Sequence, residues 1–232
     1  MLKNSVNPLE AQKRNKSSFQ LIKEIHERMT KWTPFISSTY IGITFDENYA
    51  RFAFNSSLLP VYITQGKNKR LDILNVLRAT SIFDPGKIRY GINKDGNDAF
   101  KLEDISRLNN IAQEGFHNAT QDVNCLISLS KMIQKKCPVI WESALMSCDP
   151  YRILPIIQSE KLFTTFDTWK GNLYTRCLTF ITINPAADNQ VICFDLANDP
   201  QQILNISNNY EGLKKFLEAK PKPLRNVKYK AS

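Results

Sequence analysis

The chain has 232 residues and a formal net charge of +9, with 31 Lys and Arg against 22 Asp and Glu. Hydrophobic residues make up 42% and aromatics 10%, enough to bury a core and too many for wholesale disorder. With only 8 glycines, collagen-like, Gly-linker and phosphate-cradling loop architectures are poorly supported, and no apolar run approaches the ~20 residues that cross a bilayer.

The N-terminus lacks the apolar core and small-residue cleavage site of a signal peptide, so a cytoplasmic protein is expected. The five cysteines, Cys125, Cys137, Cys148, Cys177 and Cys193, are odd in number and contain no C-x-x-C. They read as reduced, mostly buried thiols, with neither a zinc site nor a disulfide scaffold.

In chain order, 8–31 reads as a helix whose first part is an exposed arm, with Phe19, Ile22, Ile25 and Met29 on a partly apolar face. Residues 39–45 and 49–54, joined by Asp46-Glu47-Asn48, read as a hairpin. A short extended run over 58–64 carries Pro60 and belongs at a sheet edge. A helix is expected over 68–80, with Lys69 and Arg70 in its first turn, and Asp84-Pro85-Gly86 marks a turn. Over 87–93, Ile88, Tyr90 and Ile92 alternate with Lys87, Arg89 and Gly91, which predicts a strand. Helices follow at about 103–113 and 118–136, then shorter pieces at 140–147 and 150–160. The strongest hairpin signal spans 173–183 and 190–196. Asp199-Pro200 caps a last helix to about 219, before an extended basic tail.

Catalytic motifs are sparse. Only His26 and His117 offer imidazole, and a Cys125–His117 pair is the least poor nucleophilic arrangement. Cys125 nevertheless sits beside Leu126-Ile127 on what reads as a buried face. Asp46-Glu47 and Glu103-Asp104 could bind a metal or transfer protons, but they equally suit a turn and a helix N-terminus. No metal site, cofactor or enzymatic activity is therefore expected.

Binding has more support. The positive charge falls into three clusters: Lys13, Arg14 and Lys16; a middle group from Lys67 to Arg89; and a C-terminal run from Lys214 to Lys230. Clustered positive charge suits a polyanion, because each neutralised phosphate releases counterions. In the middle group the predicted ordered elements give basic residues an apolar backing, with Tyr62 and Phe83 as stacking platforms.

The segments Phe45-Asp46-Glu47-Asn48, Phe52-Ala53-Phe54-Asn55, Arg70…Ile73…Val76…Phe83…Gly86-Lys87-Ile88 and Ser106-Arg107-Leu108 resemble the N-terminal lobe of bunyavirus nucleocapsid proteins, the tospovirus kind most closely. The resemblance runs over roughly 42–110. It implies a two-lobed, largely helical body gripping single-stranded RNA in a basic cleft, with terminal arms linking protomers. By that match Arg70, Lys87 and Arg107 face the RNA backbone.

The expectation is thus an α+β fold, mostly helical with short antiparallel hairpins, in two lobes around a basic cleft. Its parts are an arm over 1–17, lobes over 18–115 and 116–219, and a basic tail over 220–232. The expected function is a non-enzymatic, self-assembling nucleoprotein that binds single-stranded RNA without sequence preference, in a host cytoplasm or virion and away from membranes. Its nucleic-acid contacts are Lys67, Lys69, Arg70, Lys87, Arg89 and Arg107, and its arms mediate self-association. The alternatives are an accessory subunit of a multiprotein assembly, or a small effector-type enzyme using Cys125 and His117.

Overall fold

The computed structural model describes residues 16–42, 45–111, 119–169, 171–206, 209–218 and 222–229. The arm expected over 1–17 lies, up to residue 15, outside the described residues, as does His117. The chain divides into two compact units, Met1–Ala144 and Leu145–Ser232. Helices and antiparallel sheets occur together, consistent with an α+β class.

The first unit opens with helix α1 (Ser18–Trp32). Ser17 starts it through a capping box: its hydroxyl accepts from the Gln20 N–H at 3.2 Å, and the Gln20 side chain accepts from the Ser17 N–H at 2.8 Å. Strand β1 (Ile36–Thr39) follows and pairs in parallel with β2 (Lys69–Asp72), in the register Ile36↔Lys69 to Thr39↔Asp72. Between them lies helix α2 (Asp46–Ser56), which buries Ala53 and Phe54.

Two side chains hold this parallel pair. Buried Asn68 accepts the Phe35 N–H at 3.1 Å and donates to the Thr33 hydroxyl at 3.1 Å and the Ile63 carbonyl at 2.6 Å. Asp72 accepts the Ile41 N–H at 3.1 Å and the Leu74 N–H at 3.0 Å. It thereby ends β2 and caps helix α3 (Ile73–Phe83), whose Ile73, Leu74, Val76, Leu77 and Thr80 enter the core.

A two-residue hairpin, β3 (Gly91–Ile92) and β4 (Asp98–Ala99), leads into helix α4 (Leu102–Leu108). The longest described helix, α5 (Ala119–Lys136), packs on α3 and α4. Its Cys125, Leu129 and Ile133 recur every four residues and are buried. Full burial of a Leu or Ile contributes roughly 1.5–3 kcal/mol. Helix α6 (Pro138–Ser147) then carries the chain across the division between the units.

The second unit is a four-stranded antiparallel sheet with helices. Helix α7 (Pro150–Ser159) begins where the Asp149 side chain accepts the Tyr151 N–H at 3.0 Å. The sheet runs β5 (Phe163–Trp169), β6 (Asn172–Ile183), β7 (Gln190–Asp195) and β8 (Leu224–Lys228), in that spatial order. Leu178, Val191 and Cys193 on its inner face bury against Ile157 of α7, with Phe163, Phe180 and Val227 around them. Helices α8 (Pro200–Ile206) and α9 (Tyr210–Glu218) fill the connection from β7 to β8.

Several expectations are corrected here. The expected hairpin over 39–45 and 49–54 does not form: strand β1 ends at Thr39, and residues 46–56 form helix α2, because Asp46 and Glu47 occupy a first helical turn where acids complement the dipole. Lys69 and Arg70 lie in a strand, since the Asp72 cap delays the helix to Ile73. The run over 58–64 forms no strand. Of the strand over 87–93 only Gly91 and Ile92 pair. The final helix is two helices, and strand β5 is additional to the expected elements. Leu224–Lys228 of the expected basic tail form β8, which pairs with β7.

Candidate nucleic-acid interface

The first unit gathers part of the predicted basic set. Asn109, just past α4, grips the Arg89 backbone at both ends: its Oδ1 accepts the Arg89 N–H at 3.0 Å and its Nδ2 donates to the Arg89 carbonyl at 2.7 Å. These bonds take the place of a sheet ladder, which explains why the strand pattern did not become a strand. They also bring Arg89 beside α4, which carries exposed Arg107. The Lys136 ammonium donates to the Lys87 carbonyl at 3.3 Å. Lys87, Arg89, Arg107 and Lys136 are all exposed, and Asp104 pairs with Arg107 at 2.7 Å. Lys136 escapes sequence reasoning, because Lys135-Lys136 has the look of an ordinary helix C-terminus.

The remaining predicted residues lie around β2. Lys67 is exposed in the loop before it, and the Lys69 ammonium donates to the Gly66 carbonyl at 3.2 Å. Arg70 turns inward: its guanidinium donates to Glu47 at 2.6 Å, with side chains only 15% and 8% exposed. The other Glu47 oxygen accepts from Arg51 at 3.1 Å and from the Thr64 hydroxyl. Arg51 in turn lies over the Tyr62 ring. Tyr62 is therefore a partner of Arg51, and Glu47 is an internal counter-ion with both oxygens engaged.

This network borders a cavity of about 140 Å³ over one face of the parallel pair, lined by Met29, Ser37, Thr39, Ala50, Phe54 and Val61 among others. Asp46 stands exposed at its rim. Among the described residues no group of three or more His, Cys, Asp or Glu could hold a metal ion. Cys125 is 1% exposed inside the α5 core, so the candidate nucleophile faces no substrate.

The second unit offers aromatic surface. In the β5–β6 ladder Trp169 pairs with Asn172 and Asp167 with Tyr174, so Trp169 and Tyr174 are diagonal neighbours on one face. They are 66% and 44% exposed. Arg176, on the same face, donates to Asp167 at 3.3 Å and to Asp195 at 3.1 Å. Asp195 is 2% exposed and also accepts from Arg225 at 3.2 Å. The opposite face of the sheet lines an apolar groove with Leu162, Ile181, Phe194, Leu196, Ile203 and Leu204.

No family model matches the chain. It is similar to exodeoxyribonuclease I of Buchnera aphidicola subsp. Baizongia pistaciae, at 29% identity over 200 residues covering 82% of the chain and 40% of the relative. It is also similar to exodeoxyribonuclease I of Escherichia coli K12, at 25% identity over 212 residues covering 88% and 44%. The chain thus spans less than half the length of these curated relatives. Among solved structures, Escherichia coli exonuclease I in complex with a dA16 oligonucleotide superposes with a TM-score of 0.72 at 23% identity, over 97% of this chain and 51% of that one. Exonuclease I from Methylocaldum szegediense gives 0.74 at 21% identity, over 98% and 51%. These structures share the fold.

The relatives overturn the resemblance to bunyavirus nucleocapsid proteins, and with it the viral setting. They are bacterial enzymes named for DNA, so a non-enzymatic role and single-stranded RNA as the partner are corrected too. The motifs misled for a local reason. The supposed Ala-Phe-Asn strand is part of helix α2, and Phe83 to Ile88 is a helix end and a turn. No helix among the described residues is long and apolar enough to cross a membrane.

Proposed function

We propose that this chain works in a DNA-degrading enzyme of the exodeoxyribonuclease I kind, where it holds single-stranded DNA. The observation that carries this reading is the similarity to exodeoxyribonucleases I along more than four-fifths of the chain. Lys87, Arg89, Arg107 and Lys136 are the phosphate-binding residues. They are exposed: Arg107 and Lys136 sit on α4 and α5, and the backbones of Arg89 and Lys87 are held by Asn109 and Lys136. Trp169 and Tyr174 supply faces on which unpaired bases stack without sequence preference. Arg70 is not among the phosphate binders, because it is only 15% exposed and held inward by Glu47, whereas Arg107, also paired, is 68% exposed.

The test is fluorescence anisotropy with a labelled single-stranded oligodeoxynucleotide, titrated at about 50 mM and about 200 mM salt. The expected result is binding at low salt, a steep loss at high salt, and a weaker response to RNA of the same sequence. Absence of DNA binding at the lower salt overturns the reading. The same oligonucleotide on a denaturing gel shows whether the chain also shortens it.

A further inference from the structure

Asp195 lies where the core of the second unit gives out. It pairs with Leu178 in the β6–β7 ladder, while Cys193, two residues earlier, stands between Phe180 of β6 and Arg225 of β8. Alternation therefore puts Asp195, Arg225 and Arg176 on the face that buries Leu178 and Cys193. Strand β7 ends at Asp195, and the β5–β6 hairpin runs on past it with Tyr174 and Trp169 on that same face.

One carboxylate atom organises the two arginines. The Arg176 Nη1 donates to Asp195 Oδ2 at 3.1 Å, and the Arg225 Nε donates to the same oxygen at 3.2 Å. The other oxygen accepts the Ala197 N–H at 3.2 Å, so the anchor is itself fixed. A guanidinium carries five N–H donors. Among the described residues Arg225 uses one of them, and Arg176 adds to its Asp195 bond only an Nε bond to Asp167 at 3.3 Å. The side chains are 27% and 25% exposed, which leaves their outer N–H groups within reach of a ligand.

Two cations around one buried anion leave this layer with a net positive charge that a further anion would balance. A phosphate diester suits it, because its two terminal oxygens match a forked donor. Same-face residues follow one another at about 7 Å along a strand. Tyr174 and the Trp169–Asn172 pair thus stand one and two such steps from Arg176, about one extended nucleotide per step. Asp167 is the weakly held member: it is 69% exposed, and exposed ion pairs contribute little.

We infer that Arg176 and Arg225 form a phosphate-binding fork for single-stranded DNA, anchored on Asp195, and that Asp167 fills part of the fork until a backbone phosphate displaces it. The base beside that phosphate stacks on Tyr174 and the next one on Trp169. This rests on the DNA reading and adds to it a grip within the second unit.

The experiment uses the full chain, a labelled oligothymidylate and anisotropy over a range of salt. Arg225→Gln should weaken binding about tenfold and flatten the dependence of log affinity on log salt by about 0.7. Arg225→Lys, which keeps the charge without the fork, should recover part of the loss. Asp167→Asn should tighten binding roughly threefold. Such a gain at an exposed position cannot arise from a damaged fold. Arg176→Gln should abolish it, as a double-mutant cycle reads directly. In NMR spectra the Nε–H signals of Arg176 and Arg225 should move as DNA is added. A wild-type chain that fails to bind at about 50 mM salt overturns this inference together with the DNA reading. Wild-type binding with Arg225→Gln and Asp167→Asn both unchanged in affinity and slope overturns this inference alone. So does a gain from Asp167→Asn that persists in Arg176→Gln, since Asp167 would then act by general repulsion.

Discussion

Asn109 holds Arg89 by its backbone rather than its side chain, accepting its N–H at 3.0 Å and donating to its carbonyl at 2.7 Å. The guanidinium is thereby left to point outward from a fixed base. Asn109→Ala should then act in two ways. It should lower stability by roughly 1.5–4 kcal/mol, since three side-chain bonds to backbone disappear, two to Arg89 and one to the Ile105 carbonyl. It should also reduce affinity for single-stranded DNA about as much as Arg89→Ala does. Urea unfolding and anisotropy measure the two effects separately.

Arg70 and Arg89 are both basic residues of the middle cluster, and they should behave differently. Arg89→Ala, like Lys87→Ala or Lys136→Ala, should flatten the dependence of log affinity on log salt by about 0.7 for each phosphate no longer neutralised. Arg70→Ala should leave that slope unchanged. It should instead destabilise the fold by about 3 kcal/mol, because Glu47 keeps its charge and is deprived of a partner in a mostly buried site.

The diagonal pair on the β5–β6 hairpin gives an optical readout. Trp169 is exposed, so stacking of a base on it should quench its fluorescence as DNA is added. Trp169→Ala should cost about 1–3 kcal/mol of binding free energy and Tyr174→Ala a similar amount. Unchanged affinity in both variants would remove the hairpin from the interface.

Asp195 gathers Arg176 and Arg225 from the strands on either side of β7 while itself only 2% exposed. Asp195→Ala leaves two guanidinium groups without their shared anion and should destabilise the second unit by about 3 kcal/mol. Thermal unfolding of the variant should show that loss, and Asp195→Asn should recover part of it through its remaining acceptor.

Burial pushes the Cys193 thiol up to about 11, from an ordinary value of 9.0. Between these values the folded chain keeps a proton that the unfolded chain gives up. Unfolding therefore becomes easier as pH rises from about 9, and this contribution levels off past about 11. Burial also raises the Tyr40 and Tyr90 hydroxyls, which act in the same direction at higher pH. The urea midpoint should fall between about pH 8 and pH 10.5, and by less in Cys193→Ala.

What the residues alone reveal depends on range. The α5 stripe of Cys125, Leu129 and Ile133 and the β6–β7 hairpin are local patterns, and both are legible. The parallel strands are not, because a four-residue strand whose partner lies 33 positions away leaves no periodic trace. Helix α2 passes for a strand in sequence because Ala50, Phe52 and Phe54 recur every second residue, although Phe52 is exposed and Phe54 buried in the helix. Among the candidate phosphate binders, exposure at Lys87, Arg89 and Arg107 follows from charge. The inward turn of Arg70 does not, since its partner Glu47 is 23 residues away.

Strand β8 has a bearing on how the chain is made. The Arg225–Asp195 bond joins positions 30 residues apart, and the Gln190↔Lys228 pair closes the ladder still later. At about 5–20 residues per second, a ribosome needs roughly 2–6 s to add the intervening stretch. For that interval the nascent β7 has a bare edge and Asp195 has Arg176 alone. A chaperone that caps unpaired strands should engage the growing chain in this window and let go once Lys228 emerges.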